Sequence, residues 1–294
     1  MSSKTSHGKL AEKLRQIARG PVAPIGFGRT AEMKIPALAL IVSLARNDPE
    51  LAKAAIAGGA DAVLLHLNRD VHEAGVTFGD LAAERQTIQG VASVAGDTPW
   101  GVDLGNQGML SQEDLKALID LGVDFVSADA SNAPAPLLLA ENIGRIVALS
   151  RDLSPYLLRT VNELSIDAVE LSPLDRSDGS TLSILDVMKY RQFADLIRQP
   201  VIATSQAGLK PDDVRILREI GFQGLLLDAA TAGADPATVE QTTRAFHQAI
   251  DQAGGPLARR DVTGVIIPKV SPRGPVREIE IPEEPEEEPD EEEW

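Results

Sequence analysis

Between Pro200 and Ala230 the spacing of apolar residues changes twice. Val201-Ile202-Ala203-Thr204 is a short run rich in β-branched residues, and a turn follows at Ala207-Gly208. Pro211-Asp212-Asp213 then opens a stretch in which Val214, Leu217 and Ile220 recur at helical spacing, closed by Gly221. A second apolar run, Gly224 to Leu227, stops at Asp228. A strand, a helix and a strand joined this tightly form the repeating module of a parallel sheet.

The same module recurs along the chain in two interleaved styles. Odd-numbered strands mostly begin just after a proline: Ile35-Pro36-Ala37 leading to Ser43, Thr98-Pro99-Trp100 leading to Asp103, and Gln199-Pro200-Val201 leading to Gln206. Proline at a first strand position removes no interior ladder bond. The fifth strand, Arg145 to Ser150, lacks the proline. Even-numbered strands follow a helix end: Asp61 to His66, Asp124 to Asp129, Asp167 to Ser172, and Gln223 to Asp228. Four of each make eight. The segments between them have helical length: Pro49 to Ala57, Phe78 to Ala95, Ser111 to Leu121, Ala135 to Asn142, Ser154 to Leu164, Ser183 to Ile197, Pro211 to Ile220 and Pro236 to Gln252. Asp48-Pro49 and Asp235-Pro236 place a capping carboxylate before a first-turn proline. Pro134 and Pro136 shorten the fourth segment. The expected fold class is therefore α/β, a single (β/α)8 TIM barrel over residues 35–254. Residues 1–34 supply an amphipathic helix, Lys9 to Arg19, that covers the barrel bottom, and then a Gly/Pro-rich connector. Residues 255–294 form an extended, disordered acidic tail.

Strand pleat turns this alignment into chemistry. In the even strands the second and fourth residues after Asp61, Asp124, Asp167 and Gln223 are all apolar, from Val63 and Leu65 to Leu225 and Leu227, so that parity faces the helices. The third and fifth residues then point into the barrel: Leu64 and His66, Ser127 and Asp129, Glu170 and Ser172, Leu226 and Asp228. Asp103, Thr204 and Gln206 join them from odd strands, with Ser43 and Ser150 as further candidates. Polar groups gather toward the C-terminal strand ends, the face on which barrel sites are built. His66, Asp103, Asp129 and Glu170 are the candidate catalytic groups, His66 for general acid–base work. Asp129, Glu170 and Asp228 are the candidate ligands of a divalent metal, because carboxylates crowded at one rim repel, raise one another's pKa or bind a cation. The competing reading pairs these carboxylates with Arg46, Arg69, Arg151 or Arg159, or uses them as loop caps. The loop from Asn68 to Thr77, carrying His72, is long enough for a lid.

Composition narrows the picture further. The 294 residues are 43% hydrophobic but only 3% aromatic, which suits a layered aliphatic core. There is no cysteine, so disulfides and thiolate metal sites are excluded and a cytoplasmic setting is expected. No apolar run approaches the roughly 20 residues of a membrane span, and the first 19 residues lack the apolar core of a secretory signal. The net charge of −16 is concentrated: Glu278 to Trp294 holds 11 acidic and no basic residues, leaving −5 for the remainder. No clustered basic surface points to nucleic acid. The Pro/Glu tail ends in Trp294 and reads as a solubility element or as an arm that docks on a protein partner.

The stretch Ala207-Gly208-Leu209-Lys210-Pro211-Asp212-Asp213 with Gly224 to Ala230 resembles the final segment of the aldolase-type and ribulose-phosphate-binding (β/α)8 barrels, a group that also includes flavin-binding nitronate-monooxygenase-like enzymes. The resemblance covers roughly Ile35 to Gln252. It implies that backbone N–H groups of the last two loops hold a phosphate or FMN, a role that would fall on Gly208 and Ala229. Relatives usually carry Gly followed by Ser or Thr after the last strand, whereas this chain has Asp228-Ala229, and a carboxylate there opposes an anion. No lysine lies on an inward strand position, so Schiff-base aldolase chemistry is not supported, and Glu170 occupies the sixth-strand site. The expected function is a small-molecule lyase or isomerase, aldolase-like, with an acidic site that binds a divalent metal or moves protons. A phosphate- or FMN-binding barrel and a non-catalytic assembly protein acting through the tail are the other readings. A small-molecule substrate is the expected partner, with a homo-oligomer also compatible.

Overall fold

The structure is a computed structural model, and it describes residues 8–20, 35–71, 76–105, 111–150, 153–171, 182–205 and 209–254. Gln206, Gly208, Ser172, His72, Arg151 and the acidic tail from residue 255 lie outside these residues. Eight parallel strands close into a barrel: β1 (Ala39–Ser43), β2 (Ala62–His66), β3 (Trp100–Asp103), β4 (Phe125–Asp129), β5 (Gly144–Leu149), β6 (Ala168–Leu171), β7 (Val201–Thr204) and β8 (Gly224–Leu227). Each pairs with its sequence neighbours, and β1 pairs with β8, for example Ala39 with Gly224 and Ile41 with Leu226. This is the closed TIM barrel that the two strand patterns predict.

The pleat sorts the core into two shells. Val63, Leu65, Val126, Val169, Leu171, Leu225 and Leu227 pack outward against the helices. Ala39, Ile41, Ala62, Leu64, Phe125, Ile146, Ala168, Ile202 and Leu226 fill the barrel interior. The helix α1 (Lys9–Arg19) contributes Leu10 and Leu14, both fully buried, to that inner shell, so it plugs the barrel from its N-terminal end. Its attachment explains the acidic residues that open the even strands. Asp124 accepts the Lys9 and Leu10 N–H groups at 2.6 and 3.0 Å and so caps α1 from a distant strand. Asp61 pairs with Lys13 and Asp167 with Arg15. Asp61 and Asp167 also accept the Leu40 and Arg145 N–H groups, each at 2.9 Å, and Gln223 accepts that of Val201 at 2.8 Å.

Several elements differ from expectation. The β2–α loop carries a two-stranded antiparallel hairpin, Arg69–Val71 with Val76–Phe78, so helix α3 starts at Leu81 behind its Asp80 cap rather than at Phe78. Between β4 and β5 stands only a 3-10 turn, Ala135–Leu139, with Pro136 in its first turn. After β5 the helix α5 is just Pro155–Thr160, continued by a 3-10 turn to Glu163. The helices α2 (Pro49–Ala57), α4 (Gln112–Asp120), α6 (Ile184–Leu196), α7 (Val214–Ile220) and α9 (Pro236–Ala253) follow the predicted segments closely, whereas the short α8 (Ala229–Ala232) falls between two of them. No helix among the described residues is long and apolar enough to cross a membrane.

Candidate active site

The inward parity delivers two hydrogen-bonded groups to the C-terminal half of the barrel interior. The first links three adjacent strands. Ser43 ends β1, His66 ends β2 and Asp103 ends β3, with His66 and Asp103 in direct register. Ser43 Oγ lies 2.7 Å from His66 Nε2, and Asp103 Oδ2 lies 3.0 Å from His66 Nδ1. Burial acts to raise the Asp103 carboxyl, but the hydrogen bond from His66, the charges of His66 and Arg69, and the Gly105 N–H together hold it below the ordinary carboxylate value. An ionised Asp103 can only accept, so Nδ1 carries the hydrogen, and a ring without a second proton presents Nε2 as an acceptor to the Ser43 hydroxyl.

The surroundings fix this arrangement. Asn47 grips the His66 main chain from both sides, donating to its carbonyl at 2.7 Å and accepting its N–H at 3.0 Å. Phe78 of the hairpin lies against the imidazole, with ring centres 4.9 Å apart. Arg69 Nη1 donates to Asp103 Oδ2 at 2.7 Å. Asp103 Oδ1 accepts the Gly105 N–H at 3.1 Å. Gly105 sits at φ +66°, where an added Cβ would meet the Leu67 carbonyl oxygen at 2.2 Å, so only glycine brings that N–H into place.

The second group is centred on Glu170 of β6. Its carboxyl accepts the Ser127 hydroxyl from β4 at 3.0 Å and the Thr204 hydroxyl from β7 at 2.8 Å. Burial pushes this carboxyl above its ordinary value; the Thr204 hydrogen bond works against the shift, the negative charge of Asp103 adds to it, and Ser127 and Arg69 oppose it. The two groups therefore sense each other across the interior, and the Arg69 charge reaches both carboxylates.

The structure brings His66, Asp103 and Glu170 into this polar interior. The other two acidic candidates serve their own loops. Asp129 Oδ1 accepts the Ser131 N–H at 2.8 Å and also the Ser131 hydroxyl. Asp228 caps α8 through the Thr231 N–H at 2.9 Å and faces the buried Ser205 hydroxyl at 2.7 Å. Among the described residues no three His, Cys, Asp or Glu side chains stand together as a metal site, and Asp129, Glu170 and Asp228 are each occupied by hydroxyl or N–H donors. The described residues do not gather Asp129, Glu170 and Asp228 into one cluster. Ala229 opens a four-residue helix whose capping position already holds the Asp228 carboxylate, and Gly208 lies outside the described residues. Arg69 pairs with Asp103, as the competing reading allowed, whereas Arg46 pairs with Asp48 at 2.9 Å. Surface grooves such as that lined by Arg215, Arg218, Glu219 and Gln252 contain none of these side chains.

Sequence reasoning gave Ser43 only a marginal place and missed Asn47 altogether. An Asn four residues past a strand end carries no pattern that announces a clamp on a neighbouring strand.

No family model matches the chain, and no curated protein matches its sequence. Solved structures do match its fold. The alpha subunit of tryptophan synthase from Legionella pneumophila superposes with a TM-score of 0.56 at 14% identity, covering 83% of this chain and 99% of that one. Thiamine phosphate pyrophosphorylase from Pyrococcus furiosus gives 0.54 at 16% identity, covering 74% and 97%. A structure described as native KDPGal gives 0.53 at 20% identity, covering 74% and 96%. At these identities the likeness is one of fold, the TIM barrel.

Proposed function

We propose that the chain is a small-molecule enzyme of lyase or isomerase type, in which Glu170 moves a proton at a carbon next to a substrate carbonyl. The observation that carries this reading is the Glu170 carboxyl itself, set among inward side chains of the barrel and held by Ser127 and Thr204 at 3.0 and 2.8 Å. A carboxyl raised by burial keeps its proton at higher pH than a surface one, which brings it closer to the working pH that acid–base catalysis requires. Two hydroxyl donors fix its orientation and leave the remaining lone pairs for substrate. Arg69, paired with Asp103 at 2.7 Å, supplies a positive charge whose influence extends to Glu170, suited to offsetting the negative charge that develops on the substrate oxygen as the carbon loses its proton. Asp103 holds Arg69 in place through its 2.7 Å contact. This chemistry needs neither a metal nor a lysine Schiff base.

The class can be tested before the substrate is known. A panel of 2-oxo acids, ketoses and ketose phosphates in deuterated buffer reports by NMR any compound whose carbon-bound hydrogen washes out in the presence of the protein. We expect exchange into at least one compound, reduced about a hundredfold or more in Glu170→Gln. Exchange at an undiminished rate in that variant, or none across the panel, would overturn the reading.

A further inference from the structure

Ser43, His66 and Asp103 form a hydrogen-bonded chain of their own, and their order is that of a nucleophile, a base and an orienting acid. Both imidazole nitrogens are engaged, so His66 meets a substrate only through the Ser43 hydroxyl. The distances, 2.7 Å from Oγ to Nε2 and 3.0 Å from Nδ1 to Asp103, lie within hydrogen-bond reach. The tautomer that Asp103 imposes leaves the Nε2 lone pair aimed at the serine proton. Backbone clamping by Asn47, the Phe78 ring and the double engagement of Asp103 hold the imidazole in that pose. Ser43 and His66 are each 5% exposed, so the hydroxyl admits only a slender reagent.

We propose that Ser43 is an activated nucleophile, with His66 as its base and Asp103 orienting the ring, competent to take an acyl group from a small carboxylic ester. Ser43 Oγ bonds to the ester carbonyl carbon while its proton passes to His66 Nε2. The tetrahedral adduct expels the alkoxide, which takes that proton and leaves as the alcohol. Water then attacks the acyl-serine, gives a proton to Nε2 and releases the carboxylic acid, and the proton returns to Ser43 Oγ. Asp103 remains ionised throughout. The activity does not rest on Glu170 or on the carbonyl chemistry above.

The same geometry also describes a buried hydrogen-bond chain with a packing role alone, and reactivity separates the two. Methanesulfonyl fluoride is small, and its sulfur takes the serine oxygen with loss of fluoride. The intact protein is treated with it and the modified serines are located by peptide mass spectrometry. Ser127 is an internal control, because it faces inward with only 3% exposure but donates to a carboxylate instead of to an imidazole. We expect Ser43 to be sulfonylated at least about a hundredfold faster than Ser127, with the rate falling by a similar factor in His66→Gln and Asp103→Asn. Equal labelling of Ser43 and Ser127, no labelling of Ser43, or labelling of Ser43 that Asp103→Asn leaves unchanged would each overturn the proposal. Should both variants fail to fold, the ratio of Ser43 to Ser127 in the native protein decides alone. A burst of about one nitrophenolate per chain from 4-nitrophenyl acetate, absent in Ser43→Ala, would agree with it.

Discussion

Truncating Leu14 to alanine measures how firmly the N-terminal helix belongs to the barrel. Leu14 is fully buried in the inner shell, and it approaches β8 so closely that a Cβ on Gly224 would lie 3.1 Å from its Cδ2. Removing three carbons forfeits about 2.4 kcal/mol of transfer free energy at roughly 0.8 kcal/mol each. The cavity adds to this unless α1 can sink inward. Its freedom to do so is small, because Asp124 holds its first turn and Lys13 and Arg15 tie it to Asp61 and Asp167. The expected loss is therefore about 3–5 kcal/mol, the upper part of the range for buried leucines. Urea titration followed by circular dichroism reads it as a fall of roughly 1 M or more in midpoint, taking a slope of about 3 kcal/mol per molar. Exposed Gln16→Ala, on the opposite face, should cost less than about 0.5 kcal/mol. Equal midpoints for the Leu14 and Gln16 variants would refute the plug and make α1 a surface appendage.

Two further outcomes follow from the interior. Glu170 holds its proton more tightly in the folded than in the unfolded chain, so its contribution to stability is present below its ordinary value of 4.5 and is lost as pH rises through the folded value. Glu170→Gln lacks this loss, and its melting temperature should gain on the native protein as pH increases from about 5 to 8; parallel melting curves would contradict the raised carboxyl. Gly101→Ala places a methyl 2.4–2.5 Å from the Phe125 ring inside the barrel, and the overpacking should cost about 1–3 kcal/mol in the same urea assay. An unchanged midpoint would mean that the inner shell is loosely filled.

Local rules carried most of the fold. Alternating proline-led and helix-led strand starts gave eight strands, and one parity count separated Leu64 and Leu226 inside from Val63 and Leu225 outside. The same count put His66, Asp103 and Glu170 in the interior. Long-range pairing was not legible. Asp61, Asp124 and Asp167 served as register marks, and nothing local says that they hold a helix whose bonded residues lie 48 or more positions away. Ser43 had the right parity, but its significance depends on the register that sets His66 of β2 beside it. The hairpin after β2 escaped because its strands are three residues each, too short for alternation to be read. Asp129 and Asp228 had the right position for a metal yet are turned into caps by Ser131 and Thr231, a choice of rotamer that spacing cannot report.

The two ends of the barrel treat negative charge differently, and the contrast bears on function. At the N-terminal end Asp61 pairs with Lys13, and Asp167 with Arg15 and Arg145. Inside the other end Asp103 has Arg69, whereas Glu170 has no ion pair among the described residues, only two hydroxyls and a neighbouring negative charge. A buried carboxyl in that setting costs stability whenever it ionises. Glutamine would keep both hydroxyl contacts, since Ser127 and Thr204 can donate or accept by rotation, and would remove the cost. The apolar part of the interior, with Leu64, Ile146 and Leu226, packs without any contribution from Glu170. What a glutamate offers that glutamine cannot is a proton that comes and goes.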